Sequence, residues 1–231
     1  MKQLTKCIGI VLALGVVQPV LAQKAEQERL QQSATVLKEI MGMENGIPRD
    51  LINKSVCVVV YPSVKKAGFI VGASYGRGAM SCRTGPGWNG PWSAPAMYAL
   101  EGASFGLQAG GEATDFVLLI MNERGAESVM SSKVKMGADA SIAAGPVGRT
   151  TSAETDVALK AEILSYSRAK GIFGGVSLQG STMRSDDGAN KNLYGKELGV
   201  KEIIRGGTVK VPDAGKPLLT ILEETSPKPS S

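Results

Sequence analysis

Residues 165–171 (SYSRAKG) form the most distinctive polar string in this sequence. The string places two serine hydroxyls, a phenol, the Arg168 guanidinium and the Lys170 ammonium just before the turn residue Gly171. Arginine offers a planar fork to phosphate or sulfate oxygens, and lysine adds a point charge. These residues predict a site for an anionic head group. A capped turn with solvated charges explains them equally well, so both interpretations stay open.

Residues for acid–base or metal chemistry are scarce. Histidine is absent, which excludes Ser-His-Asp catalysis, Cys-His catalysis and histidine-ligated metals. Two carboxylate pairs occur, Glu112 with Asp115 and Asp186 with Asp187, but acid–base work needs carboxyls held at a defined separation in a cleft. Solvated carboxylates or helix caps are the better interpretation. We therefore expect no catalytic residues, no metal and no cofactor.

Cys57 and Cys82 are the two cysteines outside the N-terminal leader. A pair of cysteines in an exported protein favours a disulfide, and both fall in predicted strands of one sheet. The register of those strands cannot be read from the sequence, so a disulfide and two buried thiols remain equally good interpretations.

Residues 1–22 have the pattern of a secretory signal peptide. Lys2 and Lys6 precede a short apolar core, and the small residue Ala22 suits cleavage before Gln23. The apolar run is too short for a spanning helix of about 20 residues. Cys7 precedes the apolar core, so it is not placed as the acylated cysteine of a lipoprotein. We expect an exported, periplasmic protein with a domain at residues 23–225 and a disordered tail at residues 226–231.

The charge balance is only mildly basic. The chain carries 26 basic and 21 acidic side chains, a formal net charge of +5, and loses two of the basic ones with the leader. This excess suits weak attraction to anionic surfaces, but it lacks the clustering of a nucleic-acid-binding surface. No nucleic-acid partner is expected.

Glycine-rich strands must position these groups. Within residues 68–121, glycine recurs between short apolar and β-branched runs, and isolated glycines in strands mark bulges, bends or close backbone approach. We predict a single α+β domain whose curved, mostly antiparallel sheet forms a barrel-like core, with helices at both termini. The predicted helices are 24–43, 48–53, 122–131, 190–194, 200–204 and 217–224, and the predicted strands are 55–61, 69–75, 77–83, 97–101, 103–109, 114–121, 138–144, 155–166 and 172–183.

Trp88 and Trp92 lie in a stretch of turn residues between two predicted strands. Two exposed indoles in such a loop would be costly, so they either close the end of the core or mark a contact surface. Core closure is favoured because a buried tryptophan can find a partner for its N–H.

Several short motifs together resemble the SYLF-domain family, over about residues 30–205. The matching residues are Ile47-Pro48, Ala67-Gly68-Phe69, Gly76-Arg77-Gly78, Trp92-Ser93-Ala94-Pro95, 106–110 (GLQAG), Thr114-Asp115, 145–149 (GPVGR), 165–168 (SYSR) and 170–177 (KGIFGGVS). The resemblance implies a non-enzymatic domain that binds anionic phospholipids, phosphoinositides in the eukaryotic members, and it implies actin binding in fungal relatives. An exported bacterial member is not expected to meet actin.

We therefore expect an exported module that binds anionic phospholipid, a membrane surface or envelope components through basic loops. The candidate anion contacts are Lys65, Lys66, Arg77, Arg149, Arg168 and Lys170. One alternative is a structural or assembly protein of the envelope that acts through a protein partner. A less favoured alternative is a hydrolase, which would need a closed pocket joining Asp115 or Asp139 to Ser165 or Tyr166.

Overall fold

The structure, a computed structural model, describes residues 17–68, 71–105, 113–131, 133–148 and 160–227. Residues 1–16, most of the predicted leader, lie outside that range. The helices are α1 (Val17–Met41), α2 (Arg49–Lys54), α3 (Glu123–Val129), α4 (Asp187–Tyr194), α5 (Val200–Arg205) and α6 (Lys216–Thr225). The strands are β1 (Cys57–Gly68), β2 (Val71–Cys82), β3 (Ala96–Phe105), β4 (Ala113–Ile120), β5 (Lys133–Lys135), β6 (Ile142–Ala144), β7 (Ile163–Ala169), β8 (Ile172–Gly175) and β9 (Thr182–Ser185).

In the described part of the chain, all nine strands belong to one curled sheet in the order β5-β9-β3-β2-β1-β4-β7-β6, and β8 pairs with the second half of β7. Only the β6–β7 pairing there is parallel. The sheet forms a half-barrel accompanied by helices, so the predicted single α+β domain with a mostly antiparallel sheet is confirmed. No helix within the described ranges is long and apolar enough to cross a membrane.

Both faces of the sheet are covered. Val59 and Tyr61 of β1 belong to one buried apolar cluster, and Val58 and Val60 belong to a second. Successive strand residues point to opposite faces, so an unbroken apolar run such as β1 belongs where both faces are buried. The second cluster includes the buried residues of α1 and α6. We therefore call its side the helix face of the sheet.

The glycines of β2 permit close approach, and they do not divide the strand. We predicted two strands joined near Gly76, but β2 runs without a break past this residue and Gly78. A Cβ atom on Gly76 would collide with Val64, and one on Gly78 would collide with Val60 and Tyr61. In the same way, β3 continues through Gly102, where two strands were predicted.

Strand β1 continues past Pro62 because it contains a bulge there. We predicted that Pro62 would end this strand, but β1 continues to Gly68. Its register against β4 shifts between Tyr61 and Val64, and Ser63 adopts a positive φ of 52°. A bulge leaves the extra residues outside the regular ladder, so the missing N–H of proline is tolerated there.

The C-terminal half departs most from prediction. The expected long strand 172–183 is two short strands, β8 and β9, and β5 was not predicted. β7 begins at Ile163, and residues 155–159 of the predicted strand lie outside the described residues. The four predicted helices at 122–131, 190–194, 200–204 and 217–224 are present as α3, α4, α5 and α6.

Candidate anion-binding site

The ends of three pairs of consecutive strands lie at one end of the sheet. β1 and β4 are antiparallel, with Lys65 opposite Ala113, and β4 and β7 are antiparallel, with Asp115 opposite Arg168. The β1–β2, β3–β4 and β7–β8 connections therefore leave the sheet on the same side. We call this side the loop end, and it is marked by the strand-terminal residues Gly68, Val71, Phe105, Ala113 and Ala169.

Lys65 and Lys66 lie near the end of β1, three and two residues before Gly68. Lys65 is exposed and pairs with Tyr75 of β2 and Ala113 of β4, while Lys66 is half-buried. Adjacent strand residues point to opposite faces, so the two ammonium groups leave the loop end on opposite sides of the sheet.

Lys170 reaches the same end from the other side of β4. Lys170 and Gly171 have φ values of 49° and 81° and join β7 to β8. Two consecutive positive φ angles are typical of a tight hairpin turn, and glycine suits the second position. Extending the Asp115–Arg168 register by two residues places Lys170 level with Ala113. Lys65 and Lys170 thus flank Ala113, about 10 Å apart at two strand spacings.

The Arg168 side chain is paired with carboxylates. Its guanidinium donates to Asp115 at 3.0 and 2.7 Å and to Glu39 of α1 at 2.5 Å. Burial lowers the pKa of Arg168, but the hydrogen bonds to Asp115 and Glu39 outweigh that effect and raise the pKa above its ordinary value. Asp115 also accepts the Ser63 backbone N–H at 2.9 Å. Arg168 therefore ties α1 to the sheet and has its charge balanced by two acids.

Arg77 plays the same part further along α1. It donates to Asp186 at 2.6 Å and to Glu26 at 3.0 Å. Glu26 is 2% exposed and also accepts a hydrogen bond from Arg29. Burial lowers the pKa of Arg77, but the hydrogen bond to Asp186 and the negative charges of Asp186 and Glu26 together outweigh it and raise the pKa. Of the six anion candidates, Arg77 and Arg168 thus hold the fold together, while Arg149 lies outside the described residues.

The SYSRAKG string is divided between the core and the turn. Ser165 is fully buried and donates to the Val176 carbonyl at 2.5 Å. Tyr166 is also buried and stacks on Phe173, with ring centroids 5.7 Å apart. The string therefore does not form one cluster of donors, and Lys170 is its exposed cation at the loop end.

The structure adds an apolar residue that the sequence reasoning missed. Ile172 follows the hairpin turn and is 78% exposed. It pairs with Ala169, the residue before the turn. The turn residue Gly171 was the sequence signal beside Ile172, but nothing in the sequence indicated that this side chain would be exposed.

The two tryptophans lie in the core. Trp88 and Trp92 are each 5% exposed, and the guanidinium groups of Arg205 and Arg83 lie 4.2 and 4.3 Å from their ring centroids. Within the described residues neither indole N–H has a hydrogen-bond partner, so the argument from N–H pairing does not explain their burial. The packing favours core closure over the contact-surface interpretation, and the stacked guanidiniums add cation–π attraction.

Cys57 and Cys82 lie directly opposite each other on β1 and β2. Their sulfurs are bonded at 2.07 Å. The pair lies at the end of the strands opposite the loop end, in the apolar cluster that also contains Trp88.

The two pockets lined by Asp139 and by Asp115 do not contain the hydroxyl residues that the hydrolase alternative needs. Asp139 lines a polar pocket of about 410 Å³ with Ser141 and Glu162, but neither Ser165 nor Tyr166 contributes to it. Among the residues that the structure describes, no cluster of three or more histidine, cysteine or acidic residues could bind a metal.

A single-domain half-barrel of nine mostly antiparallel strands, accompanied by helices, defines the class of this protein as a compact α+β module. Residues 101–225, more than half of the chain, match the family described as "Ysc84: Las17-binding protein actin regulator". The chain belongs to the Ysc84 family, which confirms the resemblance to SYLF-domain proteins.

The relatives are longer than this chain. Protein YSC84 of Saccharomyces cerevisiae is 34% identical over 188 residues, which cover 80% of this chain and 39% of the yeast protein. LAS seventeen-binding protein 3 of the same yeast is 31% identical over 188 residues, covering 80% and 40%. SH3 domain-containing YSC84-like protein 1 of Homo sapiens is 28% identical over 204 residues, covering 85% and 58%. The chain thus spans less than two thirds of each.

Proposed function

We propose that this protein is a non-enzymatic module that binds the surface of anionic phospholipid bilayers with its loop end. The observation that carries the proposal is the meeting of Lys65, Lys66 and Lys170 at that end, where three connections leave the sheet. The two arginines that also looked suitable, Arg77 and Arg168, already have carboxylate partners. Because Lys65 and Lys170 are exposed at the loop end and Lys66 is half-buried there, we assign the anion contacts to these three lysines.

The expected affinity is modest and depends on salt. A lysine near an anionic membrane surface contributes about 1 kcal/mol. Three lysines give about 3 kcal/mol, roughly a 100-fold preference for anionic over neutral vesicles. Because exposed charges are screened within about 10 Å at 0.1 M salt, the preference weakens as ionic strength rises.

Vesicle co-sedimentation tests this function. The protein is mixed with vesicles of phosphatidylglycerol and phosphatidylcholine, or of phosphatidylcholine alone, over a range of salt concentrations. We expect binding to the anionic vesicles that falls with salt, and a loss of about 100-fold in affinity when Lys65, Lys66 and Lys170 are all changed to alanine. Binding that ignores lipid charge would refute the proposal.

We also propose that the protein is exported to the periplasm, where such a surface is available. The proposal rests on the signal-peptide pattern of residues 1–22. Protein recovered from a periplasmic fraction should begin at Gln23 by intact-mass measurement. Recovery in the cytoplasm with Met1 retained would contradict export and leave the vesicle test unaffected.

A second candidate function is binding of a protein partner in the envelope. It is favoured by the family description, which names Las17 binding and actin regulation. Those partners belong to the relatives, so the proposal for this chain is a different protein at the same membrane. Chemical crosslinking of the purified protein to a defined envelope protein, abolished by loop-end variants but not by removal of lipid, would support this candidate over the first.

A further inference from the structure

We propose that Ile172 is an apolar anchor that enters the bilayer when the loop end meets an anionic membrane. This inference rests on the proposed function and adds a penetrating contact to the electrostatic one. Ile172 is 78% exposed, the largest exposed fraction among the large hydrophobic side chains in the described ranges.

The hairpin holds Ile172 away from the body of the protein. Ala169 pairs with Ile172, so the Lys170–Gly171 turn is closed tightly behind it. A Cβ atom placed on Gly171 or on Gly174 would meet nothing within 4 Å. There is open space on both sides of Ile172 along the chain, so the side chain projects from the tip.

The neighbours of Ile172 are those of a membrane contact. A single exposed apolar residue is ordinary on a soluble protein and is not evidence of binding by itself. Here Lys170 lies two residues away, and Lys65 and Lys66 lie at the same end of the sheet. Lysine stems can lie along an apolar boundary while the ammonium stays in water. On the opposite face of the sheet from Ile172, Tyr75 pairs with Lys65 and is 48% exposed, and tyrosine suits the interface between water and lipid.

The strand register shows how these groups reach one plane. Lys65, Ala113 and Arg168 lie on the same face of the sheet, and Lys170 continues that face by its spacing of two from Arg168. Ile172 pairs with Ala169 and therefore belongs to the opposite face, the face of Lys66. Because β1 continues three residues beyond Lys65 to Gly68, the bilayer approaches obliquely from the β7–β8 side of the loop end, where lysines from both faces reach the lipid head groups around Ile172. Charge complementarity therefore favours an anionic bilayer as the partner.

A fluorescent label at the tip tests insertion separately from binding. In a full chain carrying Cys7→Ser, Cys57 and Cys82 are bonded to each other, so an environment-sensitive dye attaches only at an introduced cysteine. Ile172→Cys places the dye at the tip. Glu127→Cys places it on the exposed side of α3, which follows the opposite end of β4, and serves as the matched control.

We expect a blue shift and quenching by brominated acyl chains for the Ile172 label on phosphatidylglycerol vesicles, and neither for the Glu127 label. Co-sedimentation of the labelled protein without a spectral change at position 172 overturns the anchor and leaves the proposed function standing. If neither labelled protein nor the wild type co-sediments with the vesicles, the anchor and the proposed function are both overturned.

Side-chain replacement gives an independent readout. Ile172→Ser should weaken vesicle binding roughly tenfold, while Ile172→Leu should retain it. Because no charge changes, the salt dependence should keep its slope in both variants. The thermal unfolding midpoint should be unchanged, since Ile172 is 78% exposed. Equal vesicle affinities for the serine and leucine variants contradict the anchor.

Discussion

Replacing Arg168 with alanine separates its structural role from a role in ligand binding. The side chain is 16% exposed and joins Asp115 on β4 to Glu39 on α1. The Asp115 side chain is 17% exposed and would keep its charge without its main partner, whereas Glu39 is 54% exposed and would be solvated. The variant should therefore unfold more easily, mainly because Asp115 loses its cation.

The magnitude follows from these contacts. Hydrogen bonds between charged groups contribute about 1.5–3 kcal/mol in net terms, and the exposed Glu39 contact adds less than about 1 kcal/mol. We expect Arg168→Ala to lower the free energy of unfolding by about 2–4 kcal/mol. For a domain of this size that lowers the midpoint of thermal unfolding by about 4–16 °C.

The assay is urea unfolding of four proteins: the wild type, Arg168→Ala, Asp115→Ala and the double variant. The double-mutant cycle should give a coupling energy of about 1–3 kcal/mol. Arg124→Ala is the control, because this arginine pairs with Glu162 while 85% exposed and should cost less than about 1 kcal/mol. A change below about 1 kcal/mol for Arg168→Ala, together with lost vesicle binding by the folded protein, would show that Arg168 is a ligand contact.

Two further predictions concern the sheet. The intact mass should rise by two hydrogens on reduction, because Cys57 and Cys82 are bonded across β1 and β2. Since this bond closes a chain segment with a sequence separation of 25, it should contribute about 3 kcal/mol to the free energy of unfolding. An unchanged mass would mean free thiols. Gly78→Ala should lower the free energy of unfolding by at least about 2 kcal/mol because its Cβ would collide with Val60 and Tyr61. Gly174→Ala, whose Cβ meets nothing within 4 Å, is the matched control, and equal effects of the two substitutions would contradict this packing.

Local sequence patterns predicted well the elements whose surroundings are the same along their length. The run of β-formers at residues 55–61 indicated a strand covered on both faces, and β1 is such a strand. The glycines of β2 were predicted to mark bulges, bends or close approach, and only the close approach is seen at Gly76 and Gly78. Val64 and Val60 fill the space beside Gly76 and Gly78, and this proximity is set by pairing between strands.

The candidate site could be predicted only in part for the same reason. The sequence supplied Lys65, Lys66 and Lys170 as basic residues beside turns, and the fold brings these three to one end of the sheet. It could not separate them from Arg168, because the partners of Arg168 are 53 and 129 positions away in the chain. The sequence placed Ile172 at the start of a predicted strand after the turn at Gly171, but its exposure depends on which elements pack against β8, and that is set by the fold.

The most direct measurement of the central claim is a comparison of two variants with the same net charge. One lacks the loop-end lysines Lys65, Lys66 and Lys170. The other lacks three exposed lysines elsewhere, Lys54 of α2, Lys133 of β5 and Lys201 of α5. On phosphatidylglycerol vesicles at low salt, the first should bind about 100-fold more weakly than the wild type, and the second should stay within a few-fold of it. Equal loss in the two variants would mean that net charge alone attracts the protein and that the loop end is not its binding site.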